Sequence, residues 1–176
     1  MRPGRLELVE PSLEWESAFR AMYLERVDAG EIGAPGYHQR ELPEDFAEHV
    51  EWLRSQETRD EPGRVRQNTF WLVRNGREII GESRLRHALT PSLEQFGGHI
   101  GYMIRPSERR KGYGTKILAL TLEKAREIGL DRVLVTCSPT NTASAEVILA
   151  NGGVRDADGI DPETGNPTRR FWIELC

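Results

Sequence analysis

The stretch from His99 to Gly114, His-Ile-Gly-Tyr-Met-Ile-Arg-Pro-Ser-Glu-Arg-Arg-Lys-Gly-Tyr-Gly, constrains the fold more than any other part of the chain. An apolar-leaning strand over residues 99–104 is stopped by Pro106, which lacks the amide donor that a ladder requires. A basic, glycine-bearing turn follows and opens onto an amphipathic helix beginning near Tyr113. Orphan amides of that helix therefore face outward at the end of the strand, with the positive end of the helix dipole behind them. Gly112 and Gly114 carry no Cβ, so the backbone comes close to whatever those amides meet. Arg109, Arg110 and Lys111 add charge-assisted donors around the same point. A diphosphate suits such a turn.

A second strand-to-helix unit comes next. Residues 132–137 form a β-branched run of the kind found in a strand covered on both faces. Asn141 stands at the start of a helix over about residues 142–150, which ends at Gly152 and Gly153. The strand-helix-strand crossover makes the centre of the sheet parallel.

With these two units on the page, the sequence resembles the GNAT superfamily of acyl-CoA N-acyltransferases. Arg109-Arg110-Lys111-Gly112-Tyr113-Gly114 is similar to that family's Gln/Arg-x-x-Gly-x-Gly/Ala loop, which cradles the pyrophosphate of coenzyme A. Asn141 and the Asn151-Gly152-Gly153 stop resemble the family's Asn-led helix and its end. The resemblance covers about residues 98–154; the N-terminal part matches only in its order of elements. It implies a single α/β domain over residues 1–176: a twisted mixed sheet of about seven strands with helices on both faces, the GNAT fold.

The resemblance also implies a function. Acetyl-CoA is the expected co-substrate, held by Met103 and Ile104 on the strand, by residues 109–115 (Arg109, Arg110, Lys111, Gly112, Tyr113, Gly114 and Thr115), and by Asn141 beside the pantetheine arm. An amine of a small molecule or peptide would attack the acetyl carbonyl directly in a ternary complex. A backbone amide of Tyr102, Met103 or Ile104 is the expected donor to the developing oxyanion. The alternative is a CoA-binding sensor or interaction module that keeps the fold without transfer. A homodimer is the superfamily's common assembly.

An alkyl amine with a pKa near 10 is mostly protonated at neutral pH, so a base helps prepare it. His99 is the first candidate, since its reference pKa suits the task; Glu82 and His87 follow. Many family members protonate the leaving thiolate with a Tyr in the helix after the Asn, but the matching position here is Ile148. Tyr102 or Tyr113 would have to substitute, or the thiolate leaves unaided. Arg84 and Arg86 share the parity of Glu82 on their strand and read as solvated or ion-paired strand residues, or as partners for an acceptor carboxylate.

The remainder of the chain is consistent with one domain. Its 176 residues can bury a sizeable core, and 38% hydrophobic with 30% charged residues excludes a disordered chain. A net charge of −4 argues against a nucleic-acid binder, and the absence of a long apolar run or leader-like N-terminus argues for a cytoplasmic protein without membrane contact. Cys137 reads as a small buried hydrophobe, and no cluster has metal-ligand spacing. The acidic first third, including Glu16, Glu25 and Glu31, would suit a cationic acceptor or a solvated face.

A first strand over residues 5–9 leads into a helix whose stripe is Trp15, Ala18, Phe19, Met22 and Tyr23. Gly30, Gly33, Pro35 and Gly36 make a loop, and Pro43 opens a second helix that buries Phe46, Val50 and Leu53. Asn75-Gly76 joins strands over residues 69–74 and 78–87 as a hairpin. Residues 88–97 read as a loop. The helix after the basic turn buries Ile117, Leu118, Leu122, Ala125 and Ile128 and is capped at Gly129. Residues 154–157 and 168–175 close the sheet as an antiparallel pair around a loop.

Overall fold

A computed structural model describes residues 4–32 and 44–175. The expected loop at Gly33, Pro35 and Gly36, the helix start at Pro43 and Cys176 lie outside the described residues.

The described chain runs β1 (Leu6–Val9), α1 (Glu16–Asp28), α2 (Phe46–Ser55), β2 (Gln67–Arg74), β3 (Glu78–Arg86), α3 (Pro91–Gln95), β4 (Ile100–Ile104), α4 (Tyr113–Glu127), β5 (Arg132–Cys137), α5 (Thr142–Ala150), β6 (Val154–Arg155), β7 (Gly159–Ile160) and β8 (Pro167–Glu174). The strands form a mixed sheet of eight in the order β1-β2-β3-β4-β5-β8-β6, with β7 on β8. Every pairing is antiparallel except β4 with β5.

Local chemistry explains the elements. A short 3-10 turn over Leu13–Trp15 precedes α1. Asp45 caps α2 by accepting from Ala47 N at 2.8 Å and Glu48 N at 3.3 Å, a contact typically worth about 1 kcal/mol. Asn75 and Gly76 both take positive φ, and Arg77 N donates back to Arg74 O, as the hairpin expectation requires. Gly129 ends α4 with φ 86°. Three expectations needed correction. The sheet has eight strands rather than about seven, because the loop before β8 contains the two-residue β7. Residues 88–97 contain α3, opened by Thr90 Oγ1 accepting from Leu93 N and by Pro91 in the first turn. Ile128 is 41% exposed, since it lies at the fraying end of α4 beyond the buried stripe.

The two faces of the sheet bury different cores. Trp71, Val73 and Ile79 pack with Phe19, Met22 and Tyr23 of α1 and with Phe46, Val50 and Leu53 of α2. The opposite parity, Phe70, Leu72, Ile80, Leu85 and Ile100, packs on Ile117, Leu118, Leu122 and Ala125 of α4. Period-2 alternation in β2 and β3 thus sends neighbouring residues to opposite layers. Cys137 is buried in the α4 layer with Ala145 and Ile148 of α5. Among the described residues no helix is long and apolar enough to cross a membrane.

The centre of the sheet is split. β4 and β5 share a single bridge, Ile100 with Val135, at the first residue of β4. His99 reinforces that end: its N donates to Leu134 O at 2.8 Å, and its Nδ1 accepts from Leu134 N at 2.9 Å. Beyond this point the strands part, and the rest of β4 has β3 on one side and no strand opposite on the other.

Candidate functional site

The split decides which backbone groups are free. Arg105 N donates to Ile80 O, and Arg86 N to His99 O. These bonds fix the odd-numbered residues of β4 as those that exchange hydrogen bonds with β3. The N–H and C=O groups of Tyr102 and Ile104 therefore point into the gap, whereas those of Met103 belong to the β3 ladder. Ile104 O is already met by Arg109 Nε at 2.9 Å. The Tyr102 amide and carbonyl and the Ile104 amide remain as an open edge.

The basic turn lies at the same end of β4. Arg110 takes φ 60° and Gly112 φ 83°, and Gly112 is the N-cap of α4 with no side-chain cap. A Cβ on Gly112 would meet nothing within 4 Å, so the bend opens to solvent. Gly114 sits differently, since its Cβ would press on Val147 of α5 at 3.2 Å. No amide from Arg110 to Thr115 donates to another group among the described residues.

Side chains around the turn fall into two sets. Arg74 donates to Glu108 at 2.9 and 3.1 Å, to Glu78 and to the Tyr113 hydroxyl at 3.2 Å, while Lys111 reaches Glu108 at 3.2 Å. Hydrogen bonds from Glu108, Glu78 and Tyr113 hold the Arg74 guanidinium protonated beyond its usual range. Tyr113 thus packs at the loop. Arg109 folds back onto Ile104 O and pairs with Glu31. Glu25 of α1 accepts from Ser107 N and from Arg105 Nε, both at 2.6 Å. Arg110 and Lys116 point outward without a carboxylate partner among the described residues. Of the three loop cations named from sequence, Arg110 alone is free, and Arg109 and Lys111 are tethered. The clamps at Glu25, Glu31, Arg74 and Glu108 are not legible in the sequence, because each joins positions that only the fold brings together. Glu25 and Glu31 are thereby committed to the loop and are not offered to a cationic acceptor.

Glu82 and Tyr102 lie on opposite faces. Glu82 is 5% exposed, shares a row with Trp71 and Met103, and faces the α1/α2 layer. Its Oε2 accepts from Trp71 Nε1 at 3.1 Å, and its Oε1 from Arg84 Nε and Nη2 at 3.2 and 3.0 Å. Tyr102 faces α5, where its hydroxyl meets Ser144 Oγ at 2.9 Å. Burial pushes the phenol up to about 12, against a lowering from the Ser144 hydrogen bond. Asn141 Oδ1 accepts from Ser144 N at 3.0 Å, so α5 begins at a linked Asn141–Ser144–Tyr102 set. Ile148 is fully buried one turn further on.

His99 is 7% exposed and stands two rows from Met103 on the same face, about 13 Å along the strand. Burial, and then the charges of Arg86 and Arg132, lower its pKa to about 4. With Nδ1 occupied by Leu134 N, it is a neutral structural ring edge-on to Trp172. His87 lies past the end of β3, bonded to Asn68. Gly101, between these rows, leaves room for a Cβ with nothing within 4 Å, a dent in the floor of the face. An isolated Gly inside a strand is the sequence signal for such an approach. Among the described residues no group of three His, Cys, Asp or Glu side chains is placed to hold a metal ion.

A mixed sheet that splits beyond one bridge, with an amide-lined basic turn at the open end of the split, defines a protein built to take an extended ligand with a diphosphate head. The chain belongs to the acetyltransferase (GNAT) domain family, which it matches over residues 5–154. No curated protein matches it in sequence. Solved structures share the fold at low identity. RimJ of Mycobacterium smegmatis, in complex with CoA-disulfide, has a TM-score of 0.70 at 19% identity, covering 97% of this chain and 82% of that one. An acetyl transferase of Salmonella typhimurium that modifies the N-terminal serine of a 50S ribosomal subunit protein has a TM-score of 0.69 at 16% identity, over 99% and 96% of the two chains. The protein yncA of the same organism, with its cofactor acetyl-CoA, has a TM-score of 0.65 at 13% identity, over 97% and 94%.

Proposed function

We propose that the chain transfers acetyl from acetyl-CoA to a primary amine. The observation that carries this reading is the single β4–β5 bridge with the free amides of residues 110–115 at its open end. A diphosphate fits the turn, since those donors have no protein partner and Arg110 and Lys116 stand beside them. The Tyr102 and Ile104 backbone edge offers strand-like hydrogen bonds to an extended amide-bearing arm, and Asn141 lies across the gap.

The co-substrate supplies a thioester-activated acetyl group. The Ile104 or Tyr102 amide donates to the carbonyl oxygen as charge builds there, a contribution typically of about 3 kcal/mol. Met103 is replaced as a donor candidate, because its amide faces β3. The acceptor nitrogen forms the new C–N bond, the C–S bond breaks with its electron pair to sulfur, and one amine proton leaves to a base. Glu82 is that base in this reading, directly or through a water, because it shares a row with Met103 on the face opposite Tyr102. His99, the first choice from sequence, is too weak a base at about 4 and lies two rows away. Tyr102 holds α5 to β4 and is a poor proton donor with its pKa at about 12, so sulfur leaves as thiolate.

Calorimetric titration with acetyl-CoA, followed by thiol release over a panel of amines, tests the proposal. Micromolar binding and amine-dependent thiol release are expected. Absence of binding at millimolar co-substrate would discard it, and binding without release for any amine would favour a sensor.

A further inference from the structure

We infer that the amine acceptor is an acid: it carries a carboxylate several bonds from its amine, held by Arg86 on the face of the sheet that Glu82 shares. This rests on the acetyl-transfer reading for the position of the amine. It comes from the charges on the face that Glu82 shares.

Register places three rows of side chains on that face. Trp71, Glu82 and Met103 form the first, Thr69, Arg84 and Gly101 the second, and Gln67, Arg86 and His99 the third. Across the split, Leu134 and Thr136 of β5 stand opposite Trp172 and Arg170 of β8. Arg84 is bonded twice to Glu82, and Arg170 pairs with Asp156 at 3.3 Å. Arg132 lies over the Trp172 ring, 4.2 Å from its centroid. Arg86 meets no carboxylate among the described residues. Its Nη1 donates to the carbonyls of Gly97 and Gly98 at 3.2 and 3.0 Å, which fixes the guanidinium plane. Its Nε and Nη2 hydrogens have no partner there.

Arg86 is half-buried, and its free Nε and Nη2 hydrogens are not among the fully buried unpartnered atoms, so a carboxylate from outside can reach and complete the guanidinium. Burial and the charge of Arg84 both work against the Arg86 cation, which is the electrostatic mark of a site one negative charge short. Two further polar atoms on this face are buried without a partner: Thr69 Oγ1, in the row of Arg84, and Arg170 Nε. Gly101 leaves the floor between Glu82 and Arg86 open. Along β3 those two residues are four positions apart, about 13 Å between Cα atoms. An acceptor with its amine near Glu82 and its carboxylate near Arg86 is therefore longer than a lone α-amino acid. The N-terminus of a peptide with an acidic second residue spans about 7 Å from amine to carboxylate, and the Glu82 and Arg86 side chains extend toward it to cover the remainder; a polyamine has the wrong charge.

The probes are alanyl-aspartyl amide and its isostere alanyl-asparaginyl amide, with spermidine as a cationic comparison. Acetylation read by thiol release should favour the aspartyl probe by at least about tenfold in kcat/KM, the worth of one charge-assisted contact. Arg86→Gln should cut the aspartyl probe about tenfold more than the asparaginyl one while acetyl-CoA affinity, measured by calorimetry, is retained; Arg86→Lys should recover part of the preference. Equal rates for the two probes in the wild-type chain, preference for spermidine, or an equal loss for both probes in Arg86→Gln would overturn the inference. A binding arm separates it from the transfer reading: the N-acetylated aspartyl probe should bind the CoA-loaded and the free wild-type protein more tightly than its asparaginyl twin. Equal affinity there overturns the inference whatever the turnover. Failure of acetyl-CoA to bind strikes only the transfer reading.

Discussion

Gly112→Ala and Gly129→Ala form a matched pair at the two ends of α4. Gly112 has φ 83° and Gly129 φ 86°, and a Cβ built at either meets no atom within 4 Å. Each substitution therefore adds the same left-handed strain and no clash, about 1 kcal/mol. For a chain of this size that lowers Tm by about 2–4 °C in both variants. Acetyl-CoA at a hundred times its Kd stabilises the wild type by about 2.7 kcal/mol, or about 5–10 °C. Gly129→Ala should keep that ligand-induced rise. Gly112→Ala places a methyl at the bend where the phosphates approach the amides, and should lose at least about tenfold in affinity, equivalent to about 1.4 kcal/mol. Thermal shift with and without acetyl-CoA, backed by calorimetry, reads both quantities. The reasoning fails if the two variants show the same ligand-induced rise, or if Gly112→Ala without ligand falls much further than Gly129→Ala.

Glu82→Gln keeps the size and burial of the side chain and should lower kcat by about a hundredfold or more with acetyl-CoA affinity intact; near-normal turnover would remove the base assignment. His99 titrates at about 4 instead of 6.5 when folded, so its neutral form stabilises the fold above pH 6.5. That stability is lost as pH falls from 6.5 to about 4, where the unfolded chain binds the extra proton, and amounts to about 3 kcal/mol. Urea midpoints for wild type and His99→Asn across this window should converge as the pH drops, and parallel curves would show that His99 does not carry the dependence. Tyr102→Phe removes the bond to Ser144 and should cost about 1 kcal/mol in stability with only a modest change in kcat; a collapse of kcat at unchanged stability would make the phenol a proton donor after all.

The residues that act locally were legible. Pro106, the basic glycine turn and Asn141 declare themselves through backbone chemistry confined to a few positions, and the parity of Glu82, Arg84 and Arg86 followed from the two-residue period of a strand. What escaped was long-range. Nothing in the sequence reveals that His99 would hand its Nδ1 to Leu134, or that Glu31 would take Arg109, because those partners are separated by dozens of residues. Ile128 continued the apolar spacing of α4, yet its helix ends there and the residue turns to solvent. In the acidic first third Glu10, Glu14, Glu16, Asp28, Glu48 and Glu51 are a solvated face, whereas Glu25 and Glu31 grip the loop that follows β4. Thr90-Pro91 was a readable helix start hidden inside an apparent loop, and β7 is too short to show a period.

The lone rung between Ile100 and Val135 makes the sheet two wings joined at a corner. Within the sheet the wings meet only at that rung, while the α4 layer and the Tyr102–Ser144 bond tie them across one face; an elongated guest lying in the notch would serve as the missing strand and brace the wings at a fixed angle. The co-substrate would then be a structural member of the sheet as well as a reactant, and the rigidity of the acceptor floor would rise and fall with each turnover.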